Sequence, residues 1–193
     1  INDVRSELPC RHYFSVEGGC ENFNDLDSAI SQLEPLENTV FCDAHTTLLI
    51  MYTSGTTGLP KGAMLSHGNI IWNNVNASYA FGSARGDVAL TAAPLFHIGG
   101  LNVMTIATLQ AGNPLVLLRH FDPAATLDAI SEHGVTHMFG APAMFLFMSQ
   151  HPSFGSADLS SVKMFIVGGG PVPEPLIRLY GERGVTFCQG YGL

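Results

Sequence analysis

The stretch Thr53–Gly62 reads TSGTTGLPKG, an inventory of hydroxyls, glycines and one lysine suited to gripping phosphate. Thr53, Ser54, Thr56 and Thr57 supply neutral donors. Gly55 and Gly58 let successive backbone N–H groups turn inward as an anion nest, and Lys61 adds a charge that dipoles alone do not provide. Lysine is scarce in this chain: Lys61 and Lys163 are the only two among 193 residues, so Lys61 is not a sample from a lysine-rich surface. A flexible hairpin could share the composition, but an apolar run before it and a helix signal after it favour a built loop. The segment departs from the Walker pattern, because Pro60 precedes Lys61 and Gly62 follows it, which disfavours a P-loop ATPase or GTPase.

The remaining chemistry-bearing residues exclude more than they add. His133 and His137 are four apart, yet Gly134 breaks the helix between them and no acidic third ligand follows, so no metal ligand is assigned within the chain. His67 is expected to order the loop end rather than react. Cys10, Cys20, Cys42 and Cys188 lack metal or disulfide-framework spacing and fit reduced thiols in a cytoplasmic protein. A net charge of −8, with no cluster of basic residues, argues against a nucleic-acid surface. No apolar stretch reaches the roughly 18 to 20 residues that a membrane span needs. At 46% hydrophobic and 12% charged, the composition is that of a packed globular protein.

The elements that must position these residues follow from turn chemistry and apolar periodicity. A short strand is expected near Arg11–Val16, and a buried strand over Thr46–Tyr52 feeding the phosphate-type loop. Ser66 should cap a helix over about 69–79. Periodicity stops at Phe81–Asp87, the expected boundary between a subdomain ending near residue 85 and a second one over 86–193. Strands are then expected over Val88–Ala92, Pro114–Leu118, Val135–Phe139, Lys163–Val167 and Val185–Cys188. Helices alternate with them, near Gly100–Gln110, from Pro123 with Asp122 as N-cap to Gly134, over Pro142–Gln150, and near Glu174–Arg183. Such alternation predicts an α/β fold with a mostly parallel sheet, since parallel neighbours need crossover helices.

With TSGTTGLPKG and the following Ser66–Asn69 in hand, three further segments carry a family resemblance. PLFHIGG at Pro94–Gly100, GGGPVP at Gly168–Pro173 and QGYGL at Gln189–Leu193 stand in the order found in adenylate-forming enzymes. That superfamily comprises acyl-CoA synthetases, aryl-CoA ligases, peptide-synthetase adenylation domains and luciferases, and the chain resembles it over nearly its whole length. The likeness implies an internal piece of the large N-terminal domain of an ATP-dependent acyl-CoA synthetase. Such an enzyme activates a carboxylic acid, expected here to be a fatty acid, as acyl-AMP and passes it to CoA.

The resemblance further implies residue roles. Thr53, Ser54, Gly55, Thr56, Thr57, Gly58 and Lys61 would enclose the ATP phosphates. Gln189 and Gly190 would line the nucleotide site, with Tyr191 stacked on adenine, and Gly168, Gly169 and Gly170 would let adenine and acyl chain pass close to backbone. His97 would act with Lys61 where carboxylate meets ATP, and Gly99, Leu101 and Gly169 would line the acid pocket beside it. Leu101 stands where many long-chain members carry a bulky aromatic, so an aromatic gate does not carry over. Arg119 and His120 replace the lysine that meets CoA phosphate in many relatives and are the corresponding candidates here.

In the family, QGYGL continues with a Thr-Glu pair that reaches the γ-phosphate and Mg²⁺, so the metal ligand is expected beyond Leu193. The ribose-binding Asp and the C-terminal domain with its catalytic Lys are expected outside the chain too, which should be inert alone. Two alternatives stay open: an adenylation domain loading a carrier protein, which usually has Phe-Asp where Phe96-His97 stands, and a silent nucleotide-binding module. A homodimer is compatible with either.

Overall fold

The computed structural model describes residues 7–16, 18, 20–53 and 58–192. Its chain divides into two compact units, 1–41 and 42–193. In the first, β1 (Phe14–Ser15) pairs in parallel with β2 (Asn24–Asp25), and Asp25 caps the short helix α1 (Leu26–Ile30) by accepting from the Ser28 amide at 2.8 Å.

The second unit opens with β3 (Thr47–Thr53) and β4 (Lys61–Ser66), an antiparallel hairpin in which Thr53 pairs with Lys61. The expectation of a buried strand here is corrected: Ile50 is 54% and Tyr52 74% exposed, and Met64 on β4 is 70% exposed. Among the described residues β3 pairs with β4 alone, so the apolar run satisfies β propensity without gaining a covered face. Ser66 caps α2 (His67–Ala80) as expected, in a capping box: its hydroxyl accepts from the Asn69 amide while the Asn69 side chain accepts from the Ser66 amide.

Beyond α2 lies a five-stranded sheet of β5 (Ala89–Thr91), β6 (Leu115–Leu117), β7 (His137–Gly140), β8 (Met164–Val167) and β9 (Thr186–Gln189), in the order β6-β5-β7-β8-β9. Every neighbouring pair in it is parallel. Strand residues alternate between two cores. Leu90, Met138, Phe165 and Val167 face one side with α5 (Pro123–His133), α6 (Pro142–Gln150) and α7 (Glu174–Gly181), whereas Ala89 and Ile166 face the other with Met104, Val103 and Phe81. Both faces are therefore covered, the usual condition of an all-parallel sheet. The local signals hold at α5: Asp122 accepts from the Ala125 amide at 2.8 Å, Pro123 opens the helix, and Gly134 closes it in the left-handed region at φ 61°.

The helix expected near Gly100–Gln110 begins earlier and is not uniform. α3 (Ile98–Gly100) runs through a π-helical turn, Leu101–Thr105, into α4 (Ile106–Gln110). The wider turn is braced by hydroxyls: Thr105 donates to the Gly100 carbonyl at 2.7 Å and lies 2.7 Å from the Thr91 hydroxyl. Since the Thr105 proton is committed to Gly100, Thr91 is the donor between the two. Across Phe81–Asp87 the chain turns through Gly82 and Gly86, both at positive φ. α2 nevertheless stays joined to the following helix, with Asn74 donating to the Gln110 side chain at 2.6 Å.

At the amino edge of the sheet lies a polar cluster that sequence reasoning did not assemble. Buried Asp87 accepts from Lys163 Nζ at 2.6 Å and from the Ala84 amide at 2.8 Å, and His137 Nδ1 lies 3.8 Å from it. His137 is thus a core residue; its Nε2 meets the Phe81 carbonyl at 3.2 Å, which assigns the proton to that nitrogen. Burial holds His137 below the ordinary imidazole range despite the opposing pull of Asp87. For Asp87, burial works against ionisation, but the hydrogen bonds from Lys163 and Ala84 outweigh it and hold the carboxyl below its ordinary range.

Both shifts carry the same sign for stability. In each case the unfolded chain binds the proton more readily, so stability falls as pH drops, first below about 6.5 through His137, then below about 4 through Asp87. Asp87→Asn is expected to flatten the lower of these two steps in urea titrations run from pH 7 to pH 3. An unchanged acid limb would show that the carboxylate does not contribute to it.

Candidate functional site

Three of the motifs singled out from sequence leave the sheet at one edge. PLFHIGG follows β5, Gly168–Pro173 follows β8, and Gln189–Gly192 closes and follows β9, all at the carboxyl ends of parallel strands. The strand order reverses between β5 and β7: the connection from β5 goes outward to β6, and the next strand returns to the far side of β5. A reversal of this kind opens a crevice at the carboxyl edge, the usual ligand position in open α/β sheets.

Around that crevice the packing is close. His97 caps α3, its Nδ1 accepting from the Gly99 amide at 3.0 Å, which makes the ring a fixed feature of the helix entrance rather than a free side chain. Gly100 has no room for a side chain, since a methyl group there would lie 2.2 Å from the Pro94 carbonyl oxygen. A methyl group on Gly99 would lie 2.8 Å from Cζ of Phe139, and one on Gly168 would lie 3.1 Å from Cε2 of the same ring. Gly168 donates to the Gly140 carbonyl at 3.2 Å, and Gly190 donates to the Val167 carbonyl at 2.8 Å. The Gly190 carbonyl lies 3.7 Å from the position of a Cβ on Gly168, so the glycine loop and the QGYGL segment run side by side.

Other residues sit at the rim. Gly169 takes φ +83° and is exposed, Gly170 is half-buried, and the Gln189 side chain reaches the Val172 amide at 3.5 Å. Tyr191 is 99% exposed, so both faces of its ring are open to a partner. Leu101, half-buried, starts the π-helical turn. Arg119 and His120 are exposed just past β6, at the same carboxyl edge.

The phosphate-type segment is carried separately, on the hairpin. Thr53 ends β3 and Lys61 begins β4, so the two face each other across the hairpin mouth, and Gly58 takes φ +84°. Lys61 is exposed and has no carboxylate partner among the described residues. Ser54, Gly55, Thr56 and Thr57 lie outside the described residues. Gly62 packs closely on the hairpin, since a methyl group there would lie 2.8 Å from Cγ2 of Ile50.

Sequence reasoning missed Phe139. Its signal was weak because a Phe in an apolar strand reads as core; its position against two glycines 69 residues apart, Gly99 and Gly168, exists only after folding.

The fold defines a doubly wound α/β domain whose glycine-rich motifs meet at the carboxyl edge of the sheet, beside its switch point. The chain belongs to the AMP-binding enzyme family, whose family model matches residues 7–193. It is similar to the indoleacetate–CoA ligase of Aromatoleum aromaticum, with 48% identity over 189 residues, covering 98% of this chain and 35% of the relative. It is also similar to a feruloyl-CoA synthase of Amycolatopsis, with 48% identity over 145 residues, covering 75% of this chain and 30% of that protein. Among solved structures, the o-succinylbenzoate coenzyme A synthetase of Bacillus subtilis in complex with ATP and magnesium superposes with a TM-score of 0.78. It is 31% identical, with 89% of this chain and 36% of that one covered. The chain therefore spans about a third of the length of these relatives.

Proposed function

We propose that the whole protein is an AMP-forming acid–thiol ligase. A carboxylate oxygen attacks the α-phosphorus of ATP, the bond to the pyrophosphate oxygen breaks, and an acyl-adenylate forms. A CoA thiolate then attacks the acyl carbon, and AMP leaves with the electrons of the acyl–oxygen bond. The observation that carries this reading is the convergence of His97, Gly99, Gly168 and Gly190 on one crevice at the carboxyl edge of the sheet, within a chain of the AMP-binding family.

In this proposal Thr53, the loop 54–58 and Lys61 hold the β- and γ-phosphates, where an exposed ammonium with no carboxylate partner among the described residues neutralises the leaving pyrophosphate. Gln189, Gly190 and the open ring of Tyr191 receive the nucleotide. His97, Gly99, Leu101 and Gly169 face the acid. Arg119 and His120 stand at the same edge as candidates for the CoA phosphates. The organisation into a first part ending near residue 85 and a second over 86–193 belongs to the same reading. Among the described residues no group of three or more His, Cys, Asp or Glu side chains converges to hold a metal. No helix among them is long and apolar enough to cross a membrane.

For the acid, the relatives at 48% identity favour an aromatic or arylalkanoic carboxylate, since they are a feruloyl-CoA synthase and an indoleacetate–CoA ligase. The fatty acid expected from sequence is the second reading, supported by 34% identity to the long-chain-fatty-acid–CoA ligase of Bacillus subtilis. The test is acid-dependent pyrophosphate exchange and AMP release by the complete protein with arylacrylic, arylacetic, medium-chain and long-chain acids. Exchange without thioester formation on CoA would favour the carrier-loading alternative, and ATP binding without exchange would favour a silent nucleotide module.

A further inference from the structure

We infer that the buried hydroxyls of Thr91 and Thr105 are positioning residues for the adenylation step, setting the His97 ring through the carbonyl of Gly100; this rests on the ligase reading above. Thr91 ends β5 on the face that also bears Ala89, and Thr105 ends the π-helical turn that covers this face with Met104. Both are buried, Thr91 at 3% and Thr105 at 5% exposed. Thr91 donates to the Thr105 hydroxyl and Thr105 donates to the Gly100 carbonyl, each at 2.7 Å. Packing alone does not call for such a pair. Valine has nearly the same shape, and a hydroxyl taken out of water costs free energy unless a bond replaces the one it lost.

What the pair holds is the entrance of the helix that His97 caps. Gly100 is fixed from two sides, by the Thr105 hydroxyl and by the Pro94 carbonyl oxygen, which a methyl group on Gly100 would approach to 2.2 Å. One residue earlier the Gly99 amide donates to His97 Nδ1 at 3.0 Å, and one residue later the Leu101 amide donates to the His97 carbonyl at 3.0 Å. The chain therefore makes a closed circuit: it leaves β5 at Thr91, passes His97, and is tied back to Thr91 through Gly100 and Thr105. Within it the turn keeps a wide spacing, with the Ile106 amide donating to the Leu101 carbonyl five residues back. Removing the Thr105 hydroxyl lets this turn relax toward ordinary α-helical spacing, which shifts Gly99 and Gly100 and swings the ring they hold.

The experiment compares Thr105→Val, Thr105→Ser, Thr91→Val and the double valine variant in the complete protein. It reads kcat for acid-dependent pyrophosphate exchange, KM for ATP and the melting temperature. Thr105→Val is expected to lower kcat about tenfold with KM for ATP unchanged within about twofold, the mark of a displaced group rather than a lost binding contact. Thr105→Ser keeps the hydroxyl and should stay within about threefold of wild type, and the double variant should fall no further than Thr105→Val, because the two hydroxyls act in series. Should Thr105→Val fail to fold, Thr91→Val decides, since it removes only the outer donor: a lowered kcat supports the inference and an unchanged one overturns it. A fall in melting temperature with kcat unmoved in both valine variants, or a loss in Thr105→Ser as large as in Thr105→Val, overturns the inference and leaves the ligase reading intact. A wild-type protein that exchanges pyrophosphate with no aryl or fatty acid removes the ligase reading and this inference with it.

Discussion

Replacing Lys61 with alanine in the complete protein is expected to lower acid-dependent pyrophosphate exchange by about 10²–10³-fold, the usual loss when one preorganised donor to a developing charge is removed. The physical reason is position and solvation. Lys61 opens β4 opposite Thr53, at the mouth of a hairpin whose apolar residues do not sequester it and where no carboxylate among the described residues competes for its ammonium. Its charge is therefore available for an anionic ligand. In the proposed reaction that charge acts mainly on the leaving pyrophosphate, so the fall should appear in kcat for adenylation more than in KM for the acid. Lys61→Arg should recover part of the rate, since the charge returns with a different geometry. Exchange rates for Lys61→Ala equal to wild type would remove Lys61 from the proposed chemistry and return it to an ordinary hairpin lysine.

Phe145→Ala should produce the largest loss of stability, about 3–5 kcal/mol. Phe145 lies on α6 and is 0% exposed, with ring centroids of Phe165 at 4.9 Å, Phe187 at 5.2 Å and Tyr180 at 6.2 Å. It couples α6 to β8, β9 and α7 at once, so no single neighbour can move in to fill the space. Its backbone carbonyl also accepts from the buried Tyr180 hydroxyl at 2.8 Å, in a setting where burial pushes the phenol well above its ordinary range and keeps it a donor. A cavity there loosens that hydrogen bond as well as the ring contacts. Urea denaturation should show a lower midpoint with an unchanged slope. A loss under about 1 kcal/mol would mean that the ring cluster can collapse around the missing side chain.

These two residues also mark how differently site and core could be read in advance. Lys61 stands out by its type and neighbours in the chain, while Phe145 is one of 12 phenylalanines, and nothing local distinguishes it from Phe147 two residues on, which is 53% exposed. The same contrast runs through the fold. Caps at Ser66 with Asn69, at Asp122 with Pro123, and at Gly134 act within three or four residues, so the helices they bound were legible from sequence. The π-helical turn after Gly100 was not, because its wider spacing is held by Thr91 from another strand.

The sequence by itself determined the alternation of strands and helices from Thr46 onward, the helix ends marked by Ser66, Asp122 and Gly134, and the residue types suited to phosphate and nucleotide chemistry. It did so because capping, turn geometry and apolar period are short-range effects. Only the tertiary structure decided the strand order, which places the reversal between β5 and β7. It likewise decided the exposure of the β3–β4 hairpin, the burial of Asp87 with Lys163 76 residues away, and the meeting of Phe139 with Gly99 and Gly168. Those outcomes depend on which faces are buried against which others, and burial is a property of the assembled chain rather than of any segment in it.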